Sequence, residues 1–236
     1  MRKLAFFVEG QTERLFVQAL VKACAGECKV QIESRKGIYG RKYKRLFMEI
    51  EVKKVETSDE YYVLIFDSGS DESVVSDIKD RFEYLLRENY SMIVGLRDVR
   101  PKSSRHEIEK LQAGMKSSIT SLRGIPIEFY LSIMEVEAWF LAENTHFLRI
   151  SAELTEERIR DELGFFPDNK NAESREVPSD DLAAIYQIGG VLYDKSRSAV
   201  ERVMNSLDFE QIIKVHSAEI KNLGGVVNGV SNFFQN

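Results

Sequence analysis

Apolar positions along the chain switch repeatedly between the period of a strand and that of a helix. Residues 4–8 form a continuous apolar run that breaks into Glu9, Gly10 and a polar turn. That is how a buried parallel strand hands over to a helix. Over residues 12–25, Leu15, Phe16, Ala19, Leu20 and Ala23 fall on one helical face, with Gly10 and Thr12 at the turn. Val30 and Ile32 alternate with polar neighbours and predict a second strand. Residues 61–66 (YYVLIF) are the most hydrophobic strand candidate and end at Asp67. A helix over 72–88 follows, with Val74, Val75, Ile78, Phe82, Leu85 and Leu86 at three-and-four spacing. The strand at 92–96 ends in Arg97-Asp98. Pro101 and the capping box Ser104-x-x-Glu107 then open a helix that buries Ile108, Leu111, Met115, Ile119 and Leu122. Ile127, Phe129, Leu131 and Ile133 alternate as a last strand.

Strands alternating with helices predict an α/β domain over residues 1–134, with a mostly parallel, Rossmann-like sheet flanked by helices. Residues 135–236 read as a helical C-terminal region packed on it, with helices at 135–142, 155–163, 181–188, 196–207 and 209–223. Residues 166–180, rich in Pro, Asp, Asn and Ser, predict a flexible loop. No repeat or low-complexity segment interrupts the pattern.

Composition changes this picture little. The chain has 236 residues, 43% hydrophobic and 30% charged, with a net charge of -5. No window reaches the length of a membrane span, and the apolar run at 4–8 is too short for a signal-peptide core. A cytoplasmic protein with no membrane partner is expected. Cys24 and Cys28, with His106, His146 and His216 scattered, are too few for a structural zinc site and read as free thiols. Charge is uneven, however. Between residues 35 and 54 stand Arg35, Lys36, Arg41, Lys42, Lys44, Arg45, Lys53 and Lys54, with Tyr39 and Tyr43 interleaved. Such a stretch either tracks a phosphate backbone or forms a solvated helix whose Leu46, Phe47 and Ile50 face the core.

Three predicted strands end in acid, at Glu9, Asp67 and Asp98, with Asp71 just beyond the second. Neighbouring strands would bring these carboxylates to one sheet edge, where ligands of open α/β folds bind. Crowded carboxylates call for a cation, and oxygen donors without Cys or His favour Mg²⁺ or Mn²⁺. Beside a basic stretch, that chemistry suggests phosphoryl transfer or phosphodiester hydrolysis. Plainer readings stand next to each residue: Asp71 as the N-cap of the next helix, and Asp98 as an ion-pair partner of Arg97 or Arg100 in a turn. Glu135 and Glu137, two residues apart, do not share a helix face, so one is expected toward the acidic edge and the other in solvent. Trp139 and Phe140 read as core contacts joining the helical region to the sheet, or as a base-stacking platform.

The ordered set VEGQTE, LIFDSGSDES, GLRDVRP and MEVEAWFLAE, over about residues 3–142, resembles the TOPRIM-like nucleases. It is most similar to the small stand-alone families opening with V-E-G-x-T-E, related to OLD-type and RloB-type prokaryotic defence proteins. The resemblance implies Mg²⁺- or Mn²⁺-dependent cleavage of DNA or RNA, with Glu9 and Asp67 catalytic and metal-binding. Gly69 stands where the family has its second Asp, so Asp71 or Asp98 would complete the metal set. Glu13 matches the second acid of the opening motif. Arg41, Lys42, Lys44 and Arg45 would hold the nucleic-acid backbone, and Arg97 or Arg100 the transferring phosphate. A role in phage defence and a partner ATPase are further implications of the same resemblance, and the sequence leaves an oligomer open. The rival expectation is a TOPRIM-like module without catalysis that binds nucleic acid or protein; a receiver-like phosphoacceptor at Asp67 ranks third.

Overall fold

A computed structural model describes residues 1–39, 45–52, 60–70 and 72–235. Arg41, Lys42, Lys44 and Asp71, named above as candidate ligand-binding residues, lie outside the described residues. The first half runs β1 (Arg2–Val8), α1 (Gln11–Ala25), β2 (Val30–Tyr39), β3 (Arg45–Val52), β4 (Tyr61–Asp67), α2 (Ser73–Arg87), β5 (Met92–Asp98), α3 (Ile108–Ser118) and β6 (Ile127–Ser132). The sheet order is β3-β2-β4-β1-β5-β6, with β3 antiparallel to β2 and the other five strands parallel. This is the expected mostly parallel, Rossmann-like α/β sheet. The basic stretch contributes a strand at 45–52 rather than a helix, and Arg45 opens it opposite Tyr39.

Alternation along the buried strands divides the core in two. Leu4, Phe6 and Val8 of β1 join Val63, Ile65, Val94 and Leu96 under α1, whose Leu15, Phe16, Val17, Leu20 and Val21 cover them. Ala5 and Phe7 face the other way, toward Val74, Ile78, Phe82 and Leu85 of α2 and Met115 of α3. The chain therefore leaves β1 over one face of the sheet and leaves β4 and β5 over the other. The crevice where those connections part is the switch point at which open α/β sheets take their ligands.

The C-terminal half consists of α4 (Glu137–Ala142), α5 (His146–Ile150), α6 (Glu156–Leu163), α7 (Pro178–Ile188), α8 (Arg197–Ser206), α9 (Phe209–Gln211), a π-helical turn Ile212–His216, α10 (Ser217–Glu219) and α11 (Lys221–Gln235). It shares the α1 core: Trp139, Phe140, Ile185, Val203, Val226 and Val230 belong to the same buried cluster as Leu4 and Phe6. Trp139 is a core residue, fully buried against Phe16 at 5.6 Å between ring centroids, with Nε1 donating to Glu173 at 3.3 Å. Residues 166–180 are tied down rather than loose. Asp168 Oδ1 accepts the Lys170 and Asn171 amides, and Arg105 reaches across to the Glu173 and Arg175 carbonyls. Cys24 and Cys28 are free thiols, each partly buried. Among the described residues, no helix is long and apolar enough to cross a membrane.

α11 runs on well past the predicted end at residue 223, and its glycines mark where it touches its neighbours. A methyl group on Gly224 would collide with the Ser217 carbonyl, and one on Gly225 with the Tyr130 ring. The helix can lie this close to α10 at Gly224 and to β6 at Gly225 only without side chains at those positions.

Candidate functional site: an acidic rim at the sheet edge

The rim begins where β1 ends. Glu9, half-buried, turns its Oε2 to accept the backbone N–H of Asp98 at 3.2 Å, which links the exits of β1 and β5. Gly10 then caps α1 in an extended conformation. A Cβ there would stand 3.3 Å from Glu13 Oε2, so the glycine gives room to the carboxylate one turn on. Glu13 is buried beneath it. At the end of β5, Asp98 is buried and accepts from the Ser132 hydroxyl, its register partner on β6.

After β6 the chain crosses the sheet edge, with Met134 in the left-handed region at φ 67°. It delivers Glu135 and then Glu137, the first residue of α4. Glu137 is fully buried. Its Oε1 accepts the Tyr193 hydroxyl at 2.8 Å and stands 3.1 Å from Lys195 Nζ. Among the described residues, Glu137 Oε2 is buried without a hydrogen-bond partner. Glu135 Oε2 accepts the Ser179 amide at 2.8 Å, and its Oε1 lies 3.4 Å from Lys195 Nζ. The expectation that one of this pair faces solvent is corrected. Helix α4 starts only at Glu137, so helical facing does not constrain Glu135, and both carboxylates reach the same lysine.

Burial and mutual repulsion dominate the electrostatics. Burial, then the charges of Glu9 and Glu137, push the Glu13 carboxyl up to about 8. Burial, then Glu13 and Glu9, hold Asp98 well above the usual carboxylate range. Glu137 is raised by burial, with Lys195 pulling the other way. For Lys195, burial works against the charge, but Glu137 and Glu135 outweigh it and hold the amine above its ordinary value.

Asp67 lies elsewhere on this edge. It is level with Val8 on one side and Lys36 on the other. Its Oδ2 stands 4.0 Å from Arg14 Nε and 3.8 Å from Lys36 Nζ, and its Oδ1 accepts the Gly69 amide at 3.0 Å. Burial raises its carboxyl, against the pull of Lys36, that amide and Arg14. The left-handed backbone of Gly69, φ 72°, is the turn that brings this amide back.

The two arginines expected at the transferring phosphate are not at the rim. Arg97 alternates with Asp98 and therefore points to the opposite face, where it lines a cavity of about 490 Å³ with Val75, Leu111 and Met115. Arg100 donates to the Glu176 carbonyl at 2.9 Å. The structure thus unites Glu9, Glu13, Asp98, Glu135 and Glu137, and sets Asp67 in a basic clasp beside them. Lys195, Tyr193, Arg14 and Ser132 are additions that no local sequence pattern signalled.

In kind, these donors fit a hard divalent cation: carboxylate oxygens only, buried, mutually repelling, one without a hydrogen bond. As placed, no three His, Cys, Asp or Glu side chains among the described residues are grouped to hold a metal ion.

A Rossmann-like α/β protein with a carboxylate rim at its switch point is the class that fold and site define. Residues 8–217 match the family described as "Domain of unknown function (DUF4276)", and the chain belongs to that family. No curated protein and no solved structure matched the chain.

Proposed function

We propose that the protein is a Mg²⁺- or Mn²⁺-dependent phosphodiesterase of TOPRIM type acting on DNA or RNA. The observation that carries this reading is the convergence of Glu9, Glu13, Asp98 and Glu137 on one largely buried rim, where Glu13 and Asp98 are raised by burial and by their neighbours' charges and Glu137 by burial. A divalent cation bound there would activate water and neutralise the leaving oxygen. Glu9, Asp98 and Glu137 are the carboxylates that would have to draw together to hold it, since as placed they do not form such a group. Glu13, buried one turn into α1 beside these carboxylates, would take up and return a proton. Lys36, half-exposed on β2 beside Asp67, and Arg45 at the start of β3 lie on the edge along which an anionic backbone would pass. The resemblance to defence nucleases adds a partner ATPase and a role against phage to the proposal.

The test is cleavage of plasmid and of single strands by purified protein with Mn²⁺. Glu9→Gln and Asp98→Asn should each abolish it. Undiminished cleavage by both variants sinks the assignment.

One observation favours a second reading, a nucleic-acid-binding or protein-binding module without catalysis. Asp67, the acid expected to hold metal, is engaged by Arg14 and Lys36. Salt-dependent nucleic-acid binding without metal-dependent cleavage would select this alternative.

A further inference from the structure

We propose that Lys195 is a tethered counter-cation of the acidic rim, which a divalent cation must displace from Glu137 in order to bind. The inference rests on the metal-dependent reading above. Lys195 Nζ lies 3.1 Å from Glu137 Oε1 and 3.4 Å from Glu135 Oε1, so a single ammonium bridges both carboxylates of the β6–α4 connection. Among the described residues, Arg14 and Lys36 are cations placed at Asp67 instead.

The backbone of Lys195 is held on both sides, while its side chain is tied at the ammonium and stands partly in solvent. Its φ of 56° lies in the left-handed region that a lysine rarely adopts. Two contacts hold it there. Gln11 Nε2, in the first turn of α1, donates to the Lys195 carbonyl at 3.3 Å, and the following Ser196 amide donates to Asp194 Oδ1 at 3.0 Å. Ser196 in turn caps α8 by accepting the Ala199 amide. The lysine side chain remains 44% exposed, whereas the Glu137 side chain it meets is fully buried. The ammonium can therefore swing into solvent without any change in the fold. Glu137 cannot follow it, being held by Tyr193 at 2.8 Å with its other oxygen already lacking a hydrogen bond. A dication drawn to Glu137 meets an ammonium at contact distance, and the two repel. One must leave, and only the lysine has somewhere to go.

Tethered competition predicts that removing the charge tightens metal binding, the reverse of what losing a structural or ligand-orienting residue does. If the ammonium occupies the rim nine-tenths of the time, the gain is about tenfold. Lys195→Asn is the variant of choice, because asparagine tolerates the left-handed backbone. Lys195→Arg keeps the charge. Mn²⁺ titrated into the full chain by calorimetry should show Lys195→Asn binding about tenfold more tightly than the parent, and Lys195→Arg close to it. Without metal, Lys195→Asn should melt below the parent, and saturating Mn²⁺ should give it the larger thermal shift. Equal or weaker binding by Lys195→Asn, with the parent binding normally, overturns the lysine proposal alone. Binding by neither protein overturns it together with the metal-dependent reading.

Discussion

The backbone amide of Asp98 donates to Glu9 Oε2 at 3.2 Å, so the acid that follows β1 is tied to the strand beside it. The bond needs only an oxygen acceptor, whereas metal binding needs the charge. Glu9→Gln keeps an acceptor, and its stability in urea should stay within about 0.5 kcal/mol of the parent. Glu9→Ala leaves the amide unsatisfied and should cost about 1–2 kcal/mol. Cleavage with Mn²⁺ should fall at least about 100-fold in both. A Gln variant that retains activity would reduce Glu9 to a strap between strands.

The raised carboxyl of Glu13 sets a pH dependence whose sign is unusual for an acid. Its folded value of about 8 lies above the ordinary value of 4.5, so between those pH values the unfolded chain is ionised while the folded chain keeps its proton. Unfolding then releases a proton, and stability falls as pH rises through this window, levelling off above it. One group contributes at most about 1.4 kcal/mol per pH unit. In metal-free buffer, thermal melts from pH 5 to 9 should decline for the parent and decline less for Glu13→Gln. The raised carboxyl of Asp98 acts in the same direction and leaves a residual slope. Burial holds the His146 imidazole down to about 4 and works the other way below pH 6.5, so the comparison decides: a Glu13→Gln variant that declines as steeply as the parent would contradict a protonated Glu13.

Asp67 carries a different expectation, because its surroundings are cationic. Asp67→Ala removes a buried carboxylate from beside the buried Arg14 and should cost about 3 kcal/mol. Lys36 is 46% exposed, so the same truncation there should cost less than about 1 kcal/mol. Urea unfolding followed by the fluorescence of Trp139, the chain's single tryptophan, measures both. Equal costs would mean that the buried pair with Arg14 stabilises Asp67 no more than the exposed pair with Lys36.

What the sequence made visible depended on how local each signal was. β1, β4 and β5 were legible because each is an apolar run closed by an acid, at Glu9, Asp67 and Asp98, and those acids do stand on one sheet edge. Glu13 and Glu137 were visible as acids near strand exits. β3 was not, since Leu46, Phe47 and Ile50 fit helical spacing, and the charges that suggest a solvated helix also suit an edge strand. Lys195 was hidden for a different reason. It meets Glu135 across 60 residues of sequence, and nothing near it in the chain marks it as the rim's cation. The basic clasp on Asp67 was hidden in the same way, because Arg14 looks like any polar residue early in a helix.

The far end of α11 was obscured by its own glycines, which disfavour helix but permit close packing, and this opposition gives the last prediction. Glycine to alanine within an exposed helix normally stabilises by about 0.5–1 kcal/mol. Gly114 in α3 has open space where a Cβ would be, so Gly114→Ala should gain that amount. At Gly225 the new methyl would strike the Tyr130 ring, and at Gly224 the Ser217 carbonyl oxygen, a backbone atom that cannot rotate away. Overpacking of this kind costs about 1–3 kcal/mol and exceeds the gain in helix propensity. Gly224→Ala should therefore be the most damaging of the three, Gly225→Ala intermediate because a ring can shift, and Gly114→Ala stabilising. Urea midpoints for the three variants give the order directly, and a stabilising Gly224→Ala would mean that α11 does not lie against residue 217 as described.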